Sequence, residues 1–428
     1  MKKMTLVTTA VLSLLSGTAA MAQSTVTLYG LVDAGYNRVS GMRNGTVNSM
    51  ASGIMEGSRF GFKGNEDLGS GYKAIFTLEN RLELDTGGTS NRPNSSPQLP
   101  DRVATSVRGS LLQSLPAPVI TALGGPAGVA GLVGTLNAGL GSSFGVNLGN
   151  TLFDRQAFAG LVTPVGAFTL GRQYTPAYLV TASFDASQTQ SSLAAGQVAT
   201  LPVSFDIRQN NSFQYGIALN GVTATLMYGA GEAAGNSSAN RLLGGMVIYK
   251  GNGFGLGYGH NEKKNEFGQK SLTNDVFGAN VNVGPGTFYA QYATIKDQNP
   301  SGLSPFIAGL PATLAPFAPT FRSAYEAAFR LDARLYHVGY RFTMGPHTIV
   351  TAYNRLDDKR AVNADTDSYG ATYTYALSKR TNLNAVLTRF NNKGQGQAAP
   401  GGNGFFGGVT ASAGTDSTNI ALGIRHAF

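Results

Sequence analysis

Hydrophobic and polar residues alternate with period two along most of the chain, the signature of strands with one apolar and one polar face. Over residues 25–39, Val26, Leu28, Gly30, Val32, Ala34 and Tyr36 share one face, while Thr27, Tyr29, Leu31, Asp33, Gly35 and Asn37 share the other. Phe60 and Phe62 alternate with Arg59, Gly61 and Lys63. Ala74, Phe76, Leu78 and Leu82 oppose Lys73, Thr77, Glu79, Arg81 and Glu83. Further on, Phe213, Tyr215, Ile217 and Leu219 oppose Arg208, Asn210, Ser212 and Gln214, and Tyr336, Val338, Tyr340 and Phe342 oppose His337 and Arg341. The last strand carries Ile420, Leu422, Ile424, His426 and Phe428 on one face.

A soluble sandwich alternates too, so other features must choose the architecture. The polar face carries full charges, which a packed interior does not tolerate unpaired. Aromatic residues recur near strand ends, as interfacial girdles require. Connections alternate between short and long. Short ones fall at 66–71, 163–166, 220–221, 250–253, 284–286, 344–346 and 377–380. Long ones fall at 40–55, 86–150, 175–207, 231–239, 262–272, 297–331, 357–366 and 393–415. Seven short turns and eight long loops predict an all-β, 16-stranded antiparallel transmembrane β-barrel, with short periplasmic turns and long external loops. Sixteen strands leave an aqueous lumen instead of a filled core, and closure satisfies every backbone group in lipid.

Two stretches depart from the alternation. Residues 109–153 contain no charged residue, and 119–140 is apolar enough to suggest a membrane-spanning helix. Gly124-Gly125-Pro126 and the flanking strand patterns argue instead for a large external loop, partly helical and packed on a neighbouring subunit. Residues 299–320, rich in Pro and Ala, are again uncharged.

Composition adds to this picture. Fifty-seven glycines, 23 Phe and 18 Tyr suit many strands joined by tight turns better than helices. Lys2 and Lys3, an apolar run over 4–17 and Ala20-Met21-Ala22 read as an export signal cleaved after residue 22, leaving 23–428 as the barrel domain. Losing the two lysines lowers the net charge from +9 to +7. The basic residues never form a run, so no nucleic-acid partner is expected. With no cysteine, neither disulfides nor thiolate metal sites can form.

Catalytic motifs are weak. Asp85-Thr86-Gly87 opens a polar loop without a matching second carboxylate motif, and Gly255-Leu256-Gly257-Tyr258-Gly259 sits within a strand pattern, where glycine is read as easing barrel curvature. The four histidines, His260, His337, His347 and His426, are scattered. No enzymatic activity, cofactor or metal is expected.

Several blocks resemble a known family. Thr25-Val26-Thr27-Leu28-Tyr29-Gly30-Leu31-Val32-Asp33 is similar to the first strand of the trimeric general porins of Gram-negative β-proteobacteria. The run from Ser58-Arg59-Phe60-Gly61-Phe62-Lys63 through Glu66-Asp67-Leu68-Gly69 resembles their second strand and first turn. Arg155-Gln156-Ala157-Phe158, Leu170-Gly171-Arg172-Gln173-Tyr174, Arg208-Gln209-Asn210-Asn211-Ser212 and Gly423-Ile424-Arg425-His426-Ala427-Phe428 match further blocks in family order.

The resemblance implies an outer-membrane homotrimer whose third external loop, here 175–207, folds into the lumen and narrows it. It implies a basic cluster on the facing wall, at the positions of Arg59 and Arg208. A further basic position falls at Asp154-Arg155, where alternation turns Asp154 inward and weakens the expected basic character. It also implies that Phe428 is read by the barrel-assembly machinery. Constriction candidates are therefore Arg59, Arg81, Arg155 and Arg208, faced by Asp185 and Asp206, with Asp33, Glu79, Glu83 and Asp154 lining the pore. The function expected is passive diffusion of small hydrophilic solutes, anions preferred, in an outer membrane whose lipid and lipopolysaccharide surround the barrel. A solute-specific channel and a surface adhesin on a barrel scaffold stay open as alternatives.

Overall fold

A computed structural model describes residues 24–91, 99–143, 145–188, 207–400 and 408–428; the proposed export signal lies outside them. The period-two segments form one closed antiparallel ring. Its first strand, β1 (Thr25–Met42), is followed by β2 (Gly45–Ser52), β3 (Arg59–Gly69) and β4 (Tyr72–Arg81). The loop after β4 holds three helices, α1 (Asp101–Ser114), α2 (Ala117–Ala122) and α3 (Gly125–Gly141). Then come β5 (Gln156–Thr163), β6 (Gly166–Tyr174) and helix α4 (Pro176–Phe184). Next are β7 (Arg208–Leu219), β8 (Val222–Gly229), β9 (Leu242–Lys250), β10 (Phe254–Lys264), β11 (Lys270–Val283) and β12 (Gly286–Asp297). Helices α5 (Ser304–Ala308) and α6 (Ala318–Phe329) fill the following loop. The ring ends with β13 (Leu331–Met344), β14 (His347–Asp358), β15 (Thr366–Ala376), β16 (Thr381–Asn392) and β17 (Ser417–Ala427).

Seventeen strands occupy sixteen positions. The lower half of β1 pairs with β3, from Thr25↔Asn65 to Leu31↔Arg59, and its upper half pairs with β2, from Ala34↔Ser52 to Met42↔Gly45. Strands β2 and β3 thus share one place in the ring, separated by residues 53–58. This corrects the expected loop over 40–55, which is mostly a hairpin turning at Arg43 and Asn44. Its small, polar residues carry too little contrast for the alternation to show. The break is organised by Asp33, fully buried, whose carboxylate accepts the backbone N–H groups of Ile54 (3.1 Å), Met55 (2.9 Å) and Glu56 (2.9 Å). Replacing Asp33 by Ala should cost about 1–3 kcal/mol for each buried donor left without a partner. The check is the temperature at which the compact, heat-modifiable form disappears on a gel. An unchanged midpoint would mean that the carboxylate does not hold the break.

The burial pattern is inverted relative to a soluble domain. Leu170, Leu226 and Ile424 are at least half exposed on the outer face, whereas Asn354, Ser368 and Thr388 are fully buried on the inner one. Lipid outside and a polar lumen inside produce this inversion. The ring closes where β1 meets β17, with Leu31 opposite Ala427. Gly30 and Phe428 exchange backbone hydrogen bonds of 3.1 and 3.0 Å, and the Phe428 ring lies over Gly30, where a Cβ would come within 2.3 Å of Cζ.

The two uncharged loops explain one another. Val103, Val107 and Leu111 of α1, Val129 and Val133 of α3, and Phe321, Ala324 and Tyr325 of α6 are buried in one shared hydrophobic core. The apolar residues recur every three or four positions, the spacing that gives a helix one buried stripe. The Tyr325 hydroxyl donates to Asn137 Oδ1 at 2.8 Å, satisfying two polar groups inside that core. Gly124, at φ +92°, breaks α2 from α3, and no described helix is long and apolar enough to cross a membrane. Part of the apolar surface of loop 86–150 is thus buried against α5 and α6 of the same chain.

Candidate functional site

Pro176 starts α4 at its first turn, where a missing N–H costs nothing, and the helix lies against the inner wall of the barrel. Ala177, Val180 and Phe184 are fully buried among residues of β9 to β12. The wall gives way to them by omission of side chains. A Cβ on Gly278 would sit 2.3 Å from the Phe184 ring, one on Gly257 2.4 Å from it, and one on Gly259 2.9 Å from the Ala177 Cα. Glycine in these strands therefore provides a groove for α4, which adds to the expected role in curvature. Polar ties complete the seat. Gln291 Nε2 donates to the Thr181 carbonyl (3.1 Å), and Arg341 Nη1 donates to the Ser187 carbonyl (3.1 Å). The Ala186 N–H donates to His337 Nε2 (3.1 Å), so the ring carries its proton on Nδ1 and donates to Asn354 Oδ1 (2.6 Å).

Across the lumen stands a cluster of charged side chains. Glu79 on β4 is its centre: Oε1 accepts from Arg155 Nε at 2.7 Å, and Oε2 accepts from the Tyr29 hydroxyl at 3.0 Å and lies 3.6 Å from Arg59 Nε. Arg59 also pairs with Glu56, whose other oxygen takes Arg425 Nη1 at 3.0 Å. Arg81, buried, binds Glu83 (3.0 Å), and both its backbone N–H (2.9 Å) and its Nε (3.5 Å) address Asp154. Arg155 and Arg208 each donate to the Tyr174 hydroxyl at 3.0 Å. The Arg208 guanidinium also lies 4.6 Å from the centroid of the Tyr174 ring, which stacks on Tyr178.

The sequence places these residues unevenly. Arg59, Glu79 and Arg81 follow the inward phase. Arg155 enters although alternation favours Asp154, because β5 begins only at Gln156 and the pleat does not yet apply. A bulge between Gly171 and Gln173, with Asn211 at φ +51°, breaks the phase before Arg208, which reaches the cluster through Tyr174. Glu56, Arg425, Tyr29 and Tyr174 were not among the predicted site residues. Tyr29 and Arg425 share the inward phase of their strands, whereas Glu56, in the break after β2, has no periodic signal.

Comparison with known proteins now decides the family. The profile of Gram-negative porins matches residues 8–395. The chain belongs to the Gram-negative porin family. It is similar to outer membrane porin protein 32 of Delftia acidovorans, at 25% identity over 96% of each chain. A porin protein of Bordetella pertussis is 38% identical over 101 residues, which span 26% of that relative's length. Among solved structures, the anion-selective porin from Comamonas acidovorans superposes with a TM-score of 0.66 at 22% identity, over 95% of this chain and all of that one. The trimer form of OmpT from Vibrio cholerae gives 0.57 at 12% identity, over 95% and 99% of the chains.

As a porin of the Gram-negative outer membrane, the protein is a passive channel, and its geometry corrects three expected lumen residues. Asp33 caps backbone groups of the porin wall instead of lining the water path. Glu83 is buried, with its two oxygens taken by Arg81 and by Asn91 Nδ2 (2.7 Å). Asp185 lies across the lumen from the arginines but is turned away from them. Its carboxylate accepts from the Ser187 N–H (3.2 Å) and hydroxyl and lies 3.7 Å from His337, and burial raises it above the usual carboxylate range. Asp206 lies outside the described residues.

Proposed function

We propose that this porin is a diffusion pore for small hydrophilic solutes that prefers anions, works as a homotrimer, and carries out no catalysis. The observation that carries the anion preference is a surplus of donors in the cluster. Five arginines (Arg59, Arg81, Arg155, Arg208 and Arg425) face four carboxylates (Glu56, Glu79, Glu83 and Asp154). Every carboxylate oxygen named above already accepts a bond or an ion pair, while Arg155 Nη1 and Arg208 Nε have no partner among the described residues. Fixed positive charge in a narrow throat favours anions over cations. The likeness to a porin named anion-selective points the same way. The trimer rests on the family resemblance and on the trimer form of a structural neighbour. Phe428, seated on Gly30 at the closing seam, is assigned to recognition by the assembly machinery, and residues 1–22 to export. The adhesin alternative loses support because the large apolar side chains that suggested it lie in the shared helical core or pack against it.

The test is single-channel recording in a planar bilayer under a KCl gradient. Ohmic steps with a reversal potential of anion-selective sign are expected. A cation-selective sign would overturn the assignment of the arginines, and silence from a folded, heat-modifiable protein would overturn the pore itself.

A further inference from the structure

The loops that share the helical core leave the rim far apart. One emerges between β4 and β5, the other between β12 and β13. In the sixteen-position ring, eight strands separate them in either direction, so they start from opposite ends of a diameter. Helices rooted at opposite points of the rim can share one buried core only by meeting over the mouth. Side chains around the rim hold them there. Arg43, at the tip of the first hairpin, pairs with Asp101 at 2.5 Å, and the Asp101 N–H donates to Gln397 Oε1 of the loop after β16 at 2.6 Å. On the far side, Glu266 of the loop after β10 accepts from the Ser304 hydroxyl (2.7 Å) and from the N–H groups of Gly302 and Ser304 (3.2 Å each), with Arg322 at 3.5 Å. Burial opposes the charge of Glu266, but the Ser304 hydroxyl and the backbone donors outweigh it and hold the carboxyl below its usual range. Burial, with Arg360 nearby, pushes Arg102 of α1 down to about 10 beside Asp358 at the end of β14.

We infer that α1–α3 and α5–α6 form a crossbar over the external mouth that sieves solutes by size before they reach the charged constriction. The inference rests on reading the chain as a passive channel. The sieve is mainly steric because its span is uncharged from residue 109 to 153 and again from 299 to 320, which leaves fixed charge only at its anchored ends, on Asp101, Arg102 and Arg108 of α1 and on Arg322 and Glu326 of α6. Size selection and charge selection are thereby placed on separate parts of the molecule, the first at the rim and the second at the arginines.

The experiment replaces residues 110–143 with a short Gly-Ser linker in the full chain. Liposome-swelling rates are then measured for neutral sugars from a pentose to a tetrasaccharide, beside the KCl reversal potential. The barrel ladders do not depend on this segment, and heat-modifiable migration confirms folding. A second variant, Phe321→Ser, breaks the shared core without shortening either loop or adding charge. Wild type should pass the pentose and reject the larger sugars. Both variants should raise the tetrasaccharide-to-pentose rate ratio several-fold and leave the reversal potential unchanged. An unaltered ratio in both folded variants would overturn the sieve, and a reversal potential that moves with the ratio would overturn its steric character. If wild type fails to pass even the pentose, the channel reading falls and the sieve with it.

Discussion

Phe184→Ala is expected to release α4 from the barrel wall while leaving the barrel closed. The ring is fully buried and sits where Gly257, Gly278 and Gly255 leave room for it. Truncating a buried phenylalanine typically costs about 3–5 kcal/mol. Here that cost falls on the docking of one short loop, because the inter-strand hydrogen bonds of the ring do not pass through it. The remaining ties are a few hydrogen bonds, among them those of Asn261, Gln291, Tyr289, His337 and Arg341. The open channel should become noisy, with frequent brief transitions between conductance levels, and the loop should become a protease target. Gly278→Val attacks the same seat from the wall, since its side chain would occupy the place of the ring. Quiet, protease-resistant channels from both folded variants would show that the groove does not position the helix.

Glu79→Gln is the second large effect, and it acts on selectivity. Glu79 neutralises Arg155 and Arg59 at once and also receives the Tyr29 hydroxyl. Removing its charge adds one unit of net positive charge to the wall. One unit charge acting on an ion about 6 Å away in water amounts to about 0.7 kcal/mol, roughly threefold in occupancy. Anions gain and cations lose that factor, so their permeability ratio should shift roughly tenfold at low salt and less as screening sets in. Breaking a buried ion pair also costs about 3–5 kcal/mol locally, and the heat-modifiable transition should fall. The decisive reading is the reversal potential in a KCl gradient at two ionic strengths. A potential that stays put, or moves toward cations, would remove Glu79 from the electrostatics of the pore.

The barrel was legible because a strand facing lipid on one side and water on the other must write its alternation into the chain. Leu226 and Ile424 had to be apolar, and Thr225 and Arg425 had to be polar, whatever the loops did. Strand β2 escaped because Asn48, Ser49 and Ser52 blur the contrast between its faces. The charged cluster was half legible. Arg59, Glu79 and Arg81 lie within regular ladders, but Arg155 precedes its strand and Arg208 is cut off from the rest of its strand by a bulge, so period two is no guide to either. The carboxylates misled for a different reason. Alternation gives the side of the wall a residue faces and not the donors waiting there, and Asp33 and Asp185 both found donors. The glycines of β10 and β11 give no sign in the sequence of the groove they form, because an absent side chain does not show what fills its place. Nor could the uncharged loops announce each other, since two apolar stretches remote in sequence share no period.

That remoteness has a consequence for how the molecule is put together. Leu111 and Phe321 lie more than two hundred residues apart, and the roots of their loops face each other only when β1 has found β17. Before that seam is made, the sheet is an open ribbon and the helices have nothing to rest on. Contacts of such high sequence separation form late, after the chain entropy of closing the large loop has been spent. The nascent chain therefore travels to the membrane with two greasy segments that need shielding in transit. Once they are joined, they act as a strut across the ring, and opening the seam between the first and last strands would require tearing the strut apart as well.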